Sequence, residues 1–253
     1  MVIAITAIVG SMVAVFLRAP IDSYIAQDRR ARLTDTADTA LRRMGRDIRL
    51  ALPNSVRVES MAGVVYLEFL ETRDGGRYRA EGDGTPGNDN LDFTIADASF
   101  EVLGPAIDMR AGDLIAVYNL GIEAADAWNG DTLRPYAGTP GFRTTIALTP
   151  STPFPVASPG HRFQVVEGPV TYACNPAART VTRYWGYPVT AAQATPPAAP
   201  ATSALIATGV AACNFIYEPG ATERGGLVSL SLDLSQDGET VRLYSATQVS
   251  NQP

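Results

Sequence analysis

Apolar residues follow three different patterns along the chain. From Met1 to Leu17 every residue is uncharged. After Pro53 the chain consists of short β-type runs separated by Gly, Pro, Asn and Asp. Between these two regions, apolar residues recur every three or four positions among charged neighbours, as on one face of an α-helix: Leu33, Ala37, Ala40, Leu41, Met44, Ile48 and Leu52. The pattern predicts a helix of about fifty residues followed by a β-rich head.

The uncharged run is the first part of the predicted helix. At about 1.5 Å per residue it reaches roughly 26 Å, slightly less than the ~30 Å hydrocarbon core of a bilayer. A cleavable signal peptide is the alternative, but no basic region precedes the run and no small-residue cleavage site follows it. We expect a transmembrane part over residues 1–20, an amphipathic stalk helix over 21–53 and a head over 54–253. Pro20 should kink the helix without ending it, and Pro53 should end it.

The β-type runs predict the strands of the head. Alternation in Val228, Leu230, Leu232 and Leu234 is typical of a half-buried antiparallel strand, and Asp237-Gly238 favours a tight hairpin turn after it. The predicted fold class is therefore α+β, with a long N-terminal helix packed on a mainly antiparallel β-sheet head. The remaining predicted strands are VVYLEFL, LDFTI, DLIAVYN, RTTIAL, RFQVVEG, PVTYAC, TVTRYW, NFIY and ETVRLYSATQV.

Charge is distributed unevenly over the 253 residues, whose net charge is -6. Residues 18–57 hold nine arginines and five aspartates, whereas in the rest of the head acids outnumber arginines about two to one. Because a phosphate-binding surface needs clustered basic residues, we expect no nucleic-acid partner for the head.

Few residues in the sequence suggest catalysis or metal binding. The single histidine, His161, lies in a Ser-Pro-Gly-His turn, and no nucleophile, nucleotide or metalloprotease motif is present. We therefore predict no enzyme, no catalytic residue and no cofactor. The acidic loop with Asp83, Asp89 and Asp92 is a weak calcium candidate, because closely spaced carboxylates among glycines suit that ion, and a solvated hairpin is the alternative.

Two cysteines flank a Pro- and Ala-rich segment, residues 188–204, which should form an exposed loop. Two buried free thiols would give the same sequence pattern. A translocated domain, however, meets an oxidising compartment, and we therefore predict a disulfide between Cys174 and Cys213.

Several segments together resemble type IV pilin-like proteins, and most closely the O-type minor pilins of mannose-sensitive haemagglutinin (MSHA) pilus biogenesis. The firmest resemblance is in the first 58 residues, through RRARLTDTADTALRRMGRDIRLALPNSVRV. Later segments fit as well: SPGHRFQVVEGPVTYAC, RYWGY, ACNFIYEPG, GLVSLSLDL and the terminal QVSNQP.

The resemblance implies a structural subunit that takes part in the assembly, priming or tip of a pilus. It implies as partners other major and minor pilins, a pilus assembly platform, a prepilin peptidase and the inner membrane, with the head in the periplasm. The arginines after Leu17 would by themselves favour a cytoplasmic head. A secretion pseudopilin, or a tethered periplasmic adhesive or binding module, is the alternative function. The family's Gly-Phe-Thr-Leu-Ile-Glu processing segment is not found before Met1, so we expect the reading frame to continue upstream.

Overall fold

The computed structural model describes residues 2–82, 89–197, 199, 201–220 and 225–253, and within the helix it leaves the side chains of residues 8, 11, 13–15, 17–19 and 22 undescribed. A helix, α1 (Val2–Ile48), is followed by fourteen strands in these ranges. The strands are β1 (Arg57–Met61), β2 (Val64–Arg77), β3 (Ser99–Glu101), β4 (Ile107–Met109), β5 (Leu114–Ala116), β6 (Leu133–Pro135), β7 (Gly141–Arg143), β8 (Thr145–Ala147), β9 (Arg162–Asn175), β10 (Thr180–Trp185), β11 (Thr202–Thr208), β12 (Val210–Glu218), β13 (Gly225–Gln236) and β14 (Glu239–Ser250).

The strands form two main antiparallel sheets. In the larger sheet the order is β1-β2-β9-β10-β11, with β5 and β6 added beside the first half of β9. The smaller sheet has the order β12-β13-β14, and the remaining short strands pair as β3-β8 and β4-β7. The predicted hairpin is confirmed, because β13 and β14 pair along their whole length and turn at Asp237 and Gly238, both with positive φ.

The main core lies between the two sheets and the second half of the helix. It holds the helix stripe from Leu33 to Ile48 together with apolar residues of β2, β9, β10, β12 and β13. A second core, around Tyr78, Phe100 and Phe163, lies under the short strands between β2 and β9. Thus β9 contributes to both cores, which makes it the central strand of the head.

The predicted fold class, α+β with a membrane-embedded first part of the helix, is wrong. The described residues form a mainly β structure, and none of their helical segments is both long and apolar enough to cross a membrane. The prediction of a single-pass anchor in an inner membrane is therefore also wrong. The physical reason lies in the sequence: the uncharged run ends at Arg18, after seventeen residues, where about twenty are needed.

Smaller corrections concern element boundaries. The helix passes through Pro20 and ends at Ile48 rather than at Pro53, because the chain then turns and Ala51 bridges to Glu71 at the end of the larger sheet. LDFTI is not a strand, since the Asp92 carboxylate accepts hydrogen bonds from the backbone and hydroxyl of Thr94 and forms a turn. RFQVVEG and PVTYAC are one strand, β9, and the predicted loop after Pro188 ends at the start of β11.

Candidate functional site: the exposed half of the helix

The second half of α1 is buried along one face. Leu33, Ala37, Ala40, Leu41, Met44 and Ile48 are all at most 6% exposed, and this face of the helix packs in the main core mostly against β14 and β13. Gly45 brings the backbone of the helix close to β14, because a Cβ at this position would lie 2.9 Å from the Thr247 hydroxyl oxygen. From Leu33 to Ile48 the predicted apolar stripe is therefore confirmed as the face on which the helix packs against the head, whereas Leu52 lies beyond the end of the helix.

A polar network fixes the end of the same half. The Asp47 carboxylate accepts hydrogen bonds from the Tyr172 hydroxyl at 2.6 Å and from Arg183 Nε at 2.9 Å. Arg183 also forms an ion pair with Glu71 at 2.8 Å. Burial raises the pKa of the Tyr172 hydroxyl, and the hydrogen bond and charge of Asp47 raise it further. The network joins the helix to β2, β9 and β10.

Two ion pairs mark the place where the helix leaves the head. Arg29 lies 3.4 Å from Asp237, and Arg30 lies 2.5 Å from Glu239, both at the tip of the β13-β14 hairpin. Between Tyr24 and Asp28, no described side chain forms an ion pair or hydrogen bond with the head. The hairpin tip is therefore a polar support of the helix at this boundary.

The first half of the helix, residues 2–25, is exposed at every position whose side chain is described, and we call it the exposed helical segment. Its large apolar side chains are accessible to solvent, from 41% exposed for Ile25 to 85% for Ile3. They point in several directions around the helix: Val2, Ile3, Ile5, Val9, Met12, Phe16, Ile21, Tyr24 and Ile25. Large exposed apolar surfaces of this kind mark sites of association.

The calcium candidates are not assembled into a site by the described residues. The Asp89 carboxylate accepts a hydrogen bond from the Ser99 hydroxyl at 2.5 Å. The Asp92 carboxylate accepts one from the Thr94 hydroxyl. Asp83 lies outside the described residues. In the part of the chain that the structure describes, no group of three or more metal-binding side chains is found.

The predicted disulfide is confirmed. Cys174 in β9 is bonded to Cys213 in β12, so the bond joins the larger sheet to the smaller one across the main core. His161 has a positive φ in the turn before β9, and its ring lies 5.7 Å from that of Tyr78. Its backbone nitrogen donates to the carbonyl oxygen of Ser158, which closes the turn.

Sequence reasoning missed a cavity on the side of the head. It has a volume of about 940 Å³ and is lined by the Ser158–Arg162 turn, by Arg77, by the segment after β5 and by residues near Asn251. These residues are far apart in the sequence, and no motif connects them. Their one common signal, two arginines at corresponding positions of β2 and β9, becomes visible only when the pairing of the strands is known.

Comparison of the chain with protein-family models, with curated proteins and with solved structures found no match in any of the three. A functional proposal therefore rests on the geometry of the chain and on the segments quoted above.

Proposed function

We propose that the chain is a structural subunit of a type IV pilus-like fibre, a minor pilin that takes part in the assembly, priming or tip of the fibre. The observation that carries the proposal is the exposed helical segment. The sequence resemblance quoted above, which is firmest in the first 58 residues, supports the same function.

The distribution of apolar residues around the exposed helical segment indicates what kind of partner covers it. A helix that is apolar around its circumference is normally buried on all sides, in the interior of a larger assembly or in a membrane. One flat partner surface would cover only one face of it. We therefore propose that the segment packs among the corresponding helices of neighbouring subunits, side by side, while the heads remain on the outside.

The division of the helix supports this arrangement. The second half is held by the main core and by the Asp47–Tyr172–Arg183 network, so the orientation of the helix relative to the head is fixed. At about 1.5 Å per residue, the exposed segment extends roughly 36 Å along the helix. A rigidly held helix of that length can join a bundle without moving the head against its neighbours.

Two exposed phenylalanines provide a matched test. Phe16 lies in the exposed helical segment and is 83% exposed, whereas Phe142 lies in β7 of the head and is 76% exposed. Sedimentation velocity of the full chain should show self-association that increases with concentration. Phe16→Glu should weaken it at least tenfold, because a charge would be buried in an apolar bundle, and Phe142→Glu should behave as the wild type.

Three results would count against the proposal. These are a wild-type chain that remains monomeric over a hundredfold range of concentration, an unchanged association in Phe16→Glu, and an equal loss in both variants. Far-UV circular dichroism of each variant checks that the head is folded.

A further inference from the structure

The cavity on the side of the head has the size of a ligand site. Its volume of about 940 Å³ lies at the upper end of the range for small-molecule pockets, which is roughly 300 to 1,000 Å³. Its described lining contains no aspartate or glutamate, and its only charged side chains are Arg77 and Arg162. Tyr118, Leu120 and Ile122 form an apolar wall within the same lining.

The two arginines lie directly opposite each other. Arg77 at the end of β2 pairs with Arg162 at the start of β9, so both side chains leave the same face of the sheet. Like charges at such positions destabilise a sheet. Neither guanidinium has a hydrogen-bond or ion-pair partner among the described residues.

The other arginines of the head that the structure describes differ in this respect. Each of the following has at least one hydrogen bond or ion pair: Arg57, Arg73, Arg79, Arg110, Arg134, Arg143, Arg179, Arg183 and Arg242. Two arginines at paired backbone positions beside one cavity, neither with a partner for its guanidinium among the described residues, therefore differ from the other described arginines of this head. Guanidinium groups are well suited to carboxylate and phosphate groups, to which they donate two parallel hydrogen bonds.

A buried hydroxyl at the same cavity is the second, independent observation. Ser158 lines the cavity and is only 2% exposed, and its Oγ has no hydrogen-bond partner in the described part of the chain. Both backbone polar groups of Ser158 have partners: its nitrogen donates to the Tyr78 hydroxyl, and its carbonyl oxygen accepts from the nitrogen of His161. A buried hydroxyl without a partner costs stability, and such groups often mark a place that a ligand completes.

We propose that this cavity binds a small organic anion. Its carboxylate, phosphate or sulfate group accepts hydrogen bonds from Arg77, Arg162 and the Ser158 hydroxyl, and its body lies against Tyr118, Leu120 and Ile122. The anion also screens the repulsion between the two arginines. This binding is independent of the exposed helical segment, which lies on α1 and does not line the cavity.

Isothermal titration calorimetry of the full chain tests the site. Glucose 6-phosphate, glucuronate and inorganic phosphate serve as anionic probes at low ionic strength, and glucose is the neutral control. The anions should bind and glucose should not. Arg77→Gln/Arg162→Gln should weaken binding at least tenfold, whereas Arg43→Gln/Arg49→Gln, which removes the same charge from exposed positions, should leave it unchanged.

A second readout separates binding from folding. Without ligand, Arg77→Gln/Arg162→Gln should unfold at the same temperature as the wild type or higher, because a repulsion has been removed. Ser158→Ala should weaken binding severalfold without lowering the unfolding temperature.

The relative affinities identify the chemistry. Tighter binding of glucose 6-phosphate than of inorganic phosphate would show that the body of the ligand is contacted, whereas equal affinities would show that the oxyanion is recognised alone. Absence of binding by all three anions at millimolar concentration, or equal affinities of the wild type and the Arg77/Arg162 variant, would overturn the proposal.

Discussion

The two halves of helix α1 carry similar side chains but meet different surroundings. In the second half, leucine, alanine and methionine at helical spacing are covered mainly by β14 and β13. In the first half, isoleucine, valine, methionine and phenylalanine are left accessible by the described part of the chain. Burial therefore depends on a complementary surface and not on apolar composition alone. The chain supplies that surface for the second half, and we propose that neighbouring subunits supply it for the first.

Two methionines provide the strongest test of this difference. Met44 is fully buried in the main core, whereas Met12 is 67% exposed. Met44→Ala should lower the free energy of unfolding by about 2 to 5 kcal/mol, because it removes buried contacts and leaves a cavity. Met12→Ala should change it by less than about 0.5 kcal/mol in the monomer. Urea denaturation followed by tryptophan fluorescence measures both, and equal losses would contradict the division of the helix.

The same division explains how far the sequence predicts this fold. The stripe from Leu33 to Ile48 follows the helical period, and Val228 to Leu234 alternate as in a strand, so both are predicted correctly. The membrane prediction is wrong because the uncharged run, although apolar, ends at Arg18 after seventeen residues, fewer than the about twenty that a bilayer requires. The end of the helix is wrong because the bridge between Ala51 and Glu71 is a tertiary contact, which no local pattern records.

Tertiary contacts also limit how well the functional residues can be predicted from local sequence patterns. The disulfide between Cys174 and Cys213 was predicted from the expected oxidising surroundings of the head and is confirmed, although the sequence pattern alone fits two free thiols equally well. The cavity was not predictable, since Arg77 and Arg162 are 85 positions apart and become neighbours only through the register of β2 and β9. Ser158 stands in a Pro-Gly turn that resembles any surface turn until Tyr78 is seen to pack beneath it.

The raised pKa of Tyr172, whose hydroxyl binds Asp47 of the helix, predicts that the protein loses stability at alkaline pH. Burial raises the pKa of Tyr172, and it also raises that of Tyr187, where the nearby Glu68 carboxylate adds to the effect. In the unfolded chain a tyrosine ionises near pH 10. Above that pH the folded state therefore binds more protons, and the free energy of unfolding falls by about 1.4 kcal/mol per pH unit for each tyrosine.

Tyr172→Phe isolates the contribution of the helix network. Denaturation curves between pH 9 and 11 should show a smaller slope than the wild type, because the pKa values of Tyr66, Tyr78 and Tyr187 are still raised by burial but Tyr172 no longer ionises in the unfolded chain. Stability of the wild type that stays constant across this range would contradict the burial of both hydroxyls.

The backbone of the two halves of the helix differs in its surroundings at Gly45 and Gly10. A Cβ at Gly45 would lie 2.9 Å from the hydroxyl oxygen of buried Thr247, whereas at Gly10 it would meet no described atom within 4 Å. Gly45→Ala should cost about 1 kcal/mol net, since crowding outweighs the better helix propensity of alanine. Gly10→Ala should strengthen the exposed helical segment and increase the helical circular dichroism signal. Stabilisation by Gly45→Ala would show that the helix is not held closely against β14.

The smallest expected effect concerns the boundary between the two halves. Arg29 and Arg30 pair with Asp237 and Glu239 at the hairpin tip, where the described helix begins to be held by the head. Because a helix without tertiary packing frays readily, amide exchange should be fast before Arg29 and slow after Leu33. Arg29→Gln/Arg30→Gln should move this boundary by about one turn towards Leu33 while global stability remains unchanged. Hydrogen exchange with mass spectrometry measures the boundary. Arg32→Gln/Arg42→Gln is the matched control, because those arginines pair only within the helix, and a boundary that moves equally in both variants would mean that the hairpin tip does not support the helix.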